Sequence, residues 1–336
     1  MRYIILFCLL LACTLAHASE SGQARAESAG RSLIGRPAPR MVLKTIDGQT
    51  IDLGALYGKK AVYLKFWATW CVPCREQMPH FERAYEQAGP DMAVIAVDVG
   101  FDDSVKAVRK LRKQLGLGMP IVFDDGSLGE AFHLRVTPQH VVIGRDGRIL
   151  YVGHEANARL DAALAQARSS ATSDAVPAVV PKDEPHYAVG DRVPAFTVRA
   201  LDGRSLPAFG ARPGQPTVLL FLSPWCESYL AKSRPSLAQS CRAARERANG
   251  LARDRHVRWL GIASGLWASR AELASYQREH HIAMPLVLDD SGALFRRFRV
   301  MHVPTFIVLD AQGRVVHRSE DADSLRTGWL SAVTRR

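Results

Sequence analysis

Two stretches of the chain repeat one another at domain scale. Asp47-Gly48 recurs as Asp202-Gly203 and Trp70-Cys71 as Trp225-Cys226, both displaced by 155 positions. Met119-Pro120-Ile121-Val122-Phe123-Asp124-Asp125 recurs as Met284-Pro285-Leu286-Val287-Leu288-Asp289-Asp290 after 165 positions, and Pro138 and Gly147 recur as Pro304 and Gly313 after 166. A chain of 336 residues that repeats once in this way builds the same unit twice. The second copy carries about ten more residues between its cysteine and its Met-Pro, where the Arg-rich stretch Arg242 to Arg258 lies.

Within the first copy, strand-like and helix-like patterns alternate. Ala61 to Trp67 is a short apolar run that predicts a buried strand ending at the cysteines. Met78, Phe81 and Tyr85 predict one helix face over residues 74–87, and Ala93 to Val97 predicts a second buried strand. Val105, Val108, Leu111 and Leu115 mark an amphipathic helix. His140 to Ile143 and Ile149 to Val152 predict two strands joined by the turn residues Arg145-Asp146-Gly147-Arg148, and Ala158 to Ala167 closes the copy as a helix. This order implies an α/β fold, a mixed sheet covered by helices.

The first 18 residues stand apart. Arg2 is followed by an apolar stretch from Tyr3 to Ala16 and by the small-x-small triplet Ala16-His17-Ala18, which reads as a secretory signal peptide cut after Ala18. A rival reading cuts before Cys13 and lipidates it, as in a lipoprotein, but Leu11 and the very short stretch before the cut fit that poorly. Residues 19–32 are small and polar and predict a flexible leader. Residues 169–186 are rich in Ser, Ala and Pro and predict a linker. The expected division is therefore 1–18 signal, 19–32 leader, 33–168 first domain, 169–186 linker and 187–336 second domain.

Six cysteines are present, and Cys8 and Cys13 fall in the signal. Cys71, Cys74, Cys226 and Cys241 remain. They fit an oxidising compartment but are too few to staple a chain of this size. The net charge of +11 gathers at Lys106 to Lys113 and Arg242 to Arg258. The aromatic residues fall mainly in strand-like runs rather than among these clusters. The basic stretches therefore read as solvated helix faces, with no nucleic-acid signature.

Cys71 and Cys74 stand two residues apart where a strand feeds a helix. Such a pair opens and closes a small disulfide ring. The free N–H groups at a helix start stabilise a thiolate and lower the pKa of the first cysteine. Cys71, the outer thiol, is expected to be the nucleophile, and Cys74, one turn inside, to resolve the mixed disulfide. Pro73 fixes the first helical turn. A zinc half-site is the competing reading, but zinc usually takes four Cys or His ligands. The chain left after the signal offers no second Cys-x-x-Cys, so no metal is expected.

The run Phe66-Trp67-Ala68-Thr69-Trp70-Cys71-Val72-Pro73-Cys74-Arg75, followed by Met78-Pro79, resembles the thioredoxin superfamily. It is most similar to the exported TlpA-like reductases, which include those serving cytochrome c maturation. The resemblance spans residues 33–168 well and 187–336 more loosely. It implies two tandem thioredoxin-like folds, dithiol exchange with protein disulfides, and no cofactor beyond the redox-active disulfide. It also implies a periplasmic or otherwise exported location and a membrane partner that supplies electrons. Thr137-Pro138 resembles the cis-proline that faces the cysteines in this fold, so Pro138, Thr137 and Trp70 are expected to dock substrate. Where the family carries Asp or Asn six residues before the first cysteine, this chain carries Lys65. Where TlpA-like members often carry Glu three residues after the second, it carries Gln77, with Glu76 beside it. Lys65 could stabilise a thiolate by charge, or simply snorkel or pair with a carboxylate such as Asp98. The Val72-Pro73 spacer lacks the His common in oxidising members, which favours a reductase.

The second copy is altered. It keeps Trp225-Cys226 and Val303-Pro304, the latter resembling a second cis-proline, but places Tyr229 at the resolving position. Cys241 lies fifteen residues beyond Cys226, ~22 Å away along an unbroken helix and too far for a disulfide. If Pro235 breaks that helix the two can pair, as a staple or as a slow redox couple, and both outcomes stay open. The copy reads first as a degenerate binding domain, then as a single-thiol relay, and least as a peroxide reductase. Two functions of other classes compete with disulfide reduction. One is a copper-handling or assembly chaperone, which usually wants Cys-x-x-x-Cys and a distant His. The other is a scaffold that only binds partners.

Overall fold

The computed structural model describes residues 20–170, 185–253 and 256–324. The signal, Cys13 and most of the linker lie outside the described residues. Among those described, no helix is long and apolar enough to cross a membrane.

Each copy is built on a five-stranded mixed sheet. In the first, the strand order is Ile121–Phe123, Met92–Asp98, Ala61–Trp67, Gln139–Ile143, Ile149–Gly153. The central Ala61–Trp67 runs parallel to Met92–Asp98 and antiparallel to Gln139–Ile143, and all seven of its residues are buried. A strand buried on both faces needs an unbroken apolar run, which this segment supplies except at Lys65. The second sheet repeats the order with Leu286–Asp289, Arg258–Ser264, Thr217–Leu222, Thr305–Leu309, Val315–Ser319. The protein is thus two tandem thioredoxin-like folds, mixed sheets flanked by helices. Both X-Pro bonds singled out by the sequence, Thr137–Pro138 and Val303–Pro304, are cis.

Two local expectations are corrected. The single helix expected over residues 74–87 is two, Val72–Glu76 and Met78–Glu86, with Gln77 between them. Pro79 explains the break: it has no N–H to donate and its ring clashes with the preceding turn, so it is tolerated only in the first turn of a new helix.

The leader is not an extended tail. Gly22–Gly30 is a helix, capped by the Ser21 side chain, which accepts from the Ala24 N–H. It packs on the strand Ile149–Gly153, so closely that a Cβ on Gly30 would lie 2.4 Å from Val152 Cβ. Arg25 is only 5% exposed and its guanidinium bonds Glu272 of the second domain at 2.9 and 3.1 Å. The helix buries itself by close approach of small residues rather than by an apolar stripe, so its composition reads as a polar linker.

The basic helix Val105–Leu115 keeps Lys106, Arg109, Lys110 and Lys113 at the surface, as a solvated face should.

Candidate active site

The strand Ala61–Trp67 delivers Cys71 to the start of the helix Val72–Glu76, where it is the N-cap. Its Sγ accepts a hydrogen bond from the Cys74 N–H at 3.2 Å. Cys71 and Cys74 are joined as a disulfide, with Cα atoms 5.3 Å apart. The donor that caps the helix is therefore already aimed at the sulfur that carries negative charge when the ring opens.

Lys65 lies beneath this ring. Its side chain is fully buried, its Nζ is 3.4 Å from the Cys74 carbonyl oxygen and 5.4 Å from the Phe81 ring centroid. It makes no ion pair among the described residues. Asp98, the carboxylate considered for it, accepts instead from the Gly100 N–H at 2.9 Å. Burial pulls the Lys65 amine down to about 7. Snorkelling and pairing with Asp98 are both excluded by this position.

A chain of polar groups, unforeseen from the sequence, runs from Lys65's strand to the cis-proline. His140 is fully buried and sits opposite Lys65 in the antiparallel ladder. The Gln77 amide donates to the His154 carbonyl at 3.2 Å, so its Oε1 faces His140 Nε2 at 2.8 Å. Oε1 can only accept, so Nε2 carries the proton, and Nδ1 accepts from the Tyr63 hydroxyl at 2.9 Å. Burial first, then the Lys65 charge, holds His140 well below the usual imidazole range, so it stays neutral. His154 Nδ1 donates to the Pro138 carbonyl at 2.7 Å. Gln77 thus stands where a family carboxylate was expected and joins the dithiol helix to the cis-proline loop. The strand position of His140, inward beside Lys65, was the only available sequence signal.

The two domains meet face to face around the dithiol in a pseudo-twofold arrangement. Trp70 stacks on its repeat partner Trp225 with centroids 5.1 Å apart. Each indole N–H donates at 2.8 Å within its own domain, Trp70 to the Phe101 carbonyl and Trp225 to that of Leu266. Across the interface the Asp102 N–H donates to the Met301 carbonyl at 2.7 Å, and the Trp267 N–H donates to the Arg135 carbonyl at 2.9 Å. Asp102 and Trp267 occupy matching positions in the repeat and share a left-handed backbone, φ 50° and 55°. The Trp267 indole also donates to Thr137 Oγ1 at 3.1 Å, and the Val72 N–H donates to the Tyr229 hydroxyl at 3.2 Å. Arg234 reaches back to the Asp102 carbonyl and, at 2.9 Å, to Thr69 Oγ1.

In the second domain Cys226 and Cys241 form a disulfide, Cα atoms 6.3 Å apart, which closes the question left open by their spacing. The helix Cys226–Tyr229 does not continue. Arg234 leaves helical geometry at φ −142°, ψ 65°, and Pro235 starts the helix Pro235–Leu251. The residue before a proline is driven out of the α region, so the chain folds back and Cys241 meets Cys226. Cys226 is fully buried, and Tyr229 stands at its domain's resolving position.

The sequence pattern of the AhpC/TSA family matches residues 34–152 and 189–318, one segment in each copy. The chain belongs to the AhpC/TSA family. Among its relatives, the thiol-disulfide oxidoreductase ResA of Halalkalibacterium halodurans is 36% identical over 128 residues, 37% of this chain and 71% of that protein. ResA of Bacillus subtilis is 33% identical over 120 residues, 35% of this chain and 65% of that protein. The thioredoxin-like protein YneN of Bacillus subtilis is 34% identical over 122 residues, covering 35% and 71%. Each alignment spans little more than a third of the chain, the size of one copy. With these relatives and a Cys-x-x-Cys disulfide at its strand–helix junction, the protein is a thiol–disulfide oxidoreductase.

Proposed function

We propose that the protein is an exported reductase of protein disulfides that works through Cys71 and Cys74. The observation that carries this reading is the Cys71–Cys74 ring at a helix start, with the Cys74 N–H already bonded to Cys71 Sγ. In the reduced protein the Cys71 thiolate attacks one sulfur of a substrate disulfide. A mixed disulfide forms and the other substrate sulfur leaves as a thiolate. Cys74, deprotonated, then attacks Cys71 Sγ, releasing the second substrate thiol and closing the Cys71–Cys74 disulfide. Two electrons pass to the substrate, and a thiol-reducing donor at the membrane restores the dithiol. The chemistry needs no cofactor besides the dithiol. We assign Trp70, Thr137 and Pro138 to substrate docking: Trp70 directly precedes Cys71, and the cis Thr137–Pro138 bond is what the family resemblance expects beside the dithiol. The apocytochrome cysteines served by TlpA-like reductases are one substrate class that fits. The signal-like first 18 residues support export.

The Val72-Pro73 spacer supports the reducing direction, because neither residue offers a side chain that would stabilise the open thiolate. Equilibration against a thiol redox buffer tests it. A potential well below that of strong periplasmic oxidants is expected; a value near ~−120 mV would mark an oxidant and overturn the direction.

We assign Lys65 the role of lowering the Cys74 pKa, since its buried Nζ approaches Cys74 and forms no ion pair among the described residues. Lys65→Met is expected to shift the alkylation-versus-pH curve of the reduced protein upward by about one pH unit. An unchanged curve ends this role. The same variant reports on stability. A lysine that titrates near 7 when folded and near 10.5 when unfolded leaves the unfolded chain with more bound protons in between. Stability of the parent protein therefore rises with pH from about 7 to about 10, and Lys65→Met flattens that rise.

A further inference from the structure

Cys71 is only 1% exposed, although thiol–disulfide exchange requires a substrate sulfur to approach its Sγ directly. The second domain packs against the residues on either side of it. On the N-terminal side of Cys71, Trp70 is stacked under Trp225. On the C-terminal side, the Val72 N–H is taken by the Tyr229 hydroxyl. The residue before the cis-proline, Thr137, is taken by the Trp267 indole. The preceding turn is taken by Arg234 through Thr69 Oγ1. These four contacts come from one face of the second domain.

We propose that the second domain is a tethered lid over the Cys71–Cys74 site, and that its displacement sets how fast protein disulfides, as distinct from small ones, reach Cys71. This rests on the reading of Cys71 as the nucleophile. Beside the two interdomain backbone hydrogen bonds, several of the other ties across the interface suit a contact that opens. They are the ion pairs Arg135–Asp290 at 2.6 Å, Arg25–Glu272 at 2.9 Å and Arg296–Glu130, whose carboxylates are each partly exposed. Such pairs are screened by salt and contribute little each. Tyr229, at the position of a resolving cysteine, has no thiol to exchange. Its hydroxyl instead accepts from the first domain's backbone beside the nucleophile, which gives the degenerate position a use. A small disulfide needs only local parting of Trp70 and Tyr229, whereas a folded protein needs the whole face withdrawn.

The test compares reduction of insulin and of a small aromatic disulfide by the full-length reduced protein and by Trp267→Phe and Arg234→Ala. Trp267→Phe keeps a ring against His154 and removes only the bond to Thr137; Arg234→Ala removes independent ties on the other side of Cys71, to Thr69 Oγ1, the Asp102 carbonyl and Asp103. Each is expected to raise the insulin rate by at least roughly five- to tenfold, the factor for one interdomain hydrogen bond no longer opposing opening, and to change the small-disulfide rate less than about twofold. A ratio of the two rates that stays at the parent value in both variants overturns the lid while leaving the reductase reading intact. Failure of every version to reduce either disulfide overturns the reductase reading itself, and the lid with it.

Discussion

Reduced Cys74→Ser protein accumulates covalent mixed disulfides through Cys71, whereas Cys71→Ser protein forms none and loses disulfide exchange by on the order of 10³-fold or more. The two effects differ because the two sulfurs differ in place. Cys71 is the N-cap, with the Cys74 N–H directed at its Sγ. Cys74 lies one turn further in, fully buried above Lys65. Serine at position 71 keeps the hydrogen bond but is a far poorer nucleophile than a thiolate. Serine at position 74 leaves the attack intact and removes only the group that expels the substrate. Mixed disulfides are read by non-reducing electrophoresis and mass spectrometry of the attached protein. Adducts that form on Cys74 in the Cys71→Ser protein would reverse the assignment of roles.

The second large effect is on stability. Replacing both Cys226 and Cys241 with alanine removes a cross-link that closes a fifteen-residue loop. The expected loss is ~3 kcal/mol. For a unit of this size it lowers the midpoint of the second domain's thermal unfolding by roughly 6–12 °C. The cross-link fixes the short helix Cys226–Tyr229 to Pro235–Leu251, and with it Tyr229 and Arg234, which touch the first domain. Disulfide reduction at 25 °C is expected to persist, because neither cysteine belongs to the Cys71–Cys74 ring. A double variant that unfolds at the parent temperature contradicts the stapling role. One that melts as expected but no longer reduces disulfides points to the relay instead.

Much of the architecture is written locally. The run Ala61 to Trp67 is apolar and bounded by its own neighbours, so strand, dithiol and helix follow in order, and the 155- to 166-residue displacements show the unit twice. What could not be read depends on contacts between distant segments. Lys65 and Asp98 lie on neighbouring strands, yet Lys65 pairs across from Ala96, and Asp98 from Trp67, with its carboxylate turned to Gly100. Register and side-chain direction decided against an ion pair that composition allowed. The Cys226–Cys241 bridge turned on whether Pro235 starts a new helix, a choice that spacing alone leaves open. The helix Gly22–Gly30 has no apolar stripe, and its burial exists only because Val152 and Glu272 lie where Gly30 and Arg25 can meet them. The pseudo-twofold closure leaves still less trace. Trp267 and Asp102 are chemically unrelated side chains, and what they share is a backbone conformation and one hydrogen bond each.

One dithiol, Cys71 with Cys74, is expected to perform disulfide reduction, and the second domain's cysteines are not. The most direct measurement is the initial rate of insulin reduction, with dithiothreitol as electron source, for the parent protein, Cys71→Ser and the Cys226→Ala/Cys241→Ala double variant. Turnover is expected from the parent and the double variant, and background turnover from Cys71→Ser. Background turnover by all three, or full turnover by Cys71→Ser, would rule out Cys71 with Cys74 as the reducing dithiol.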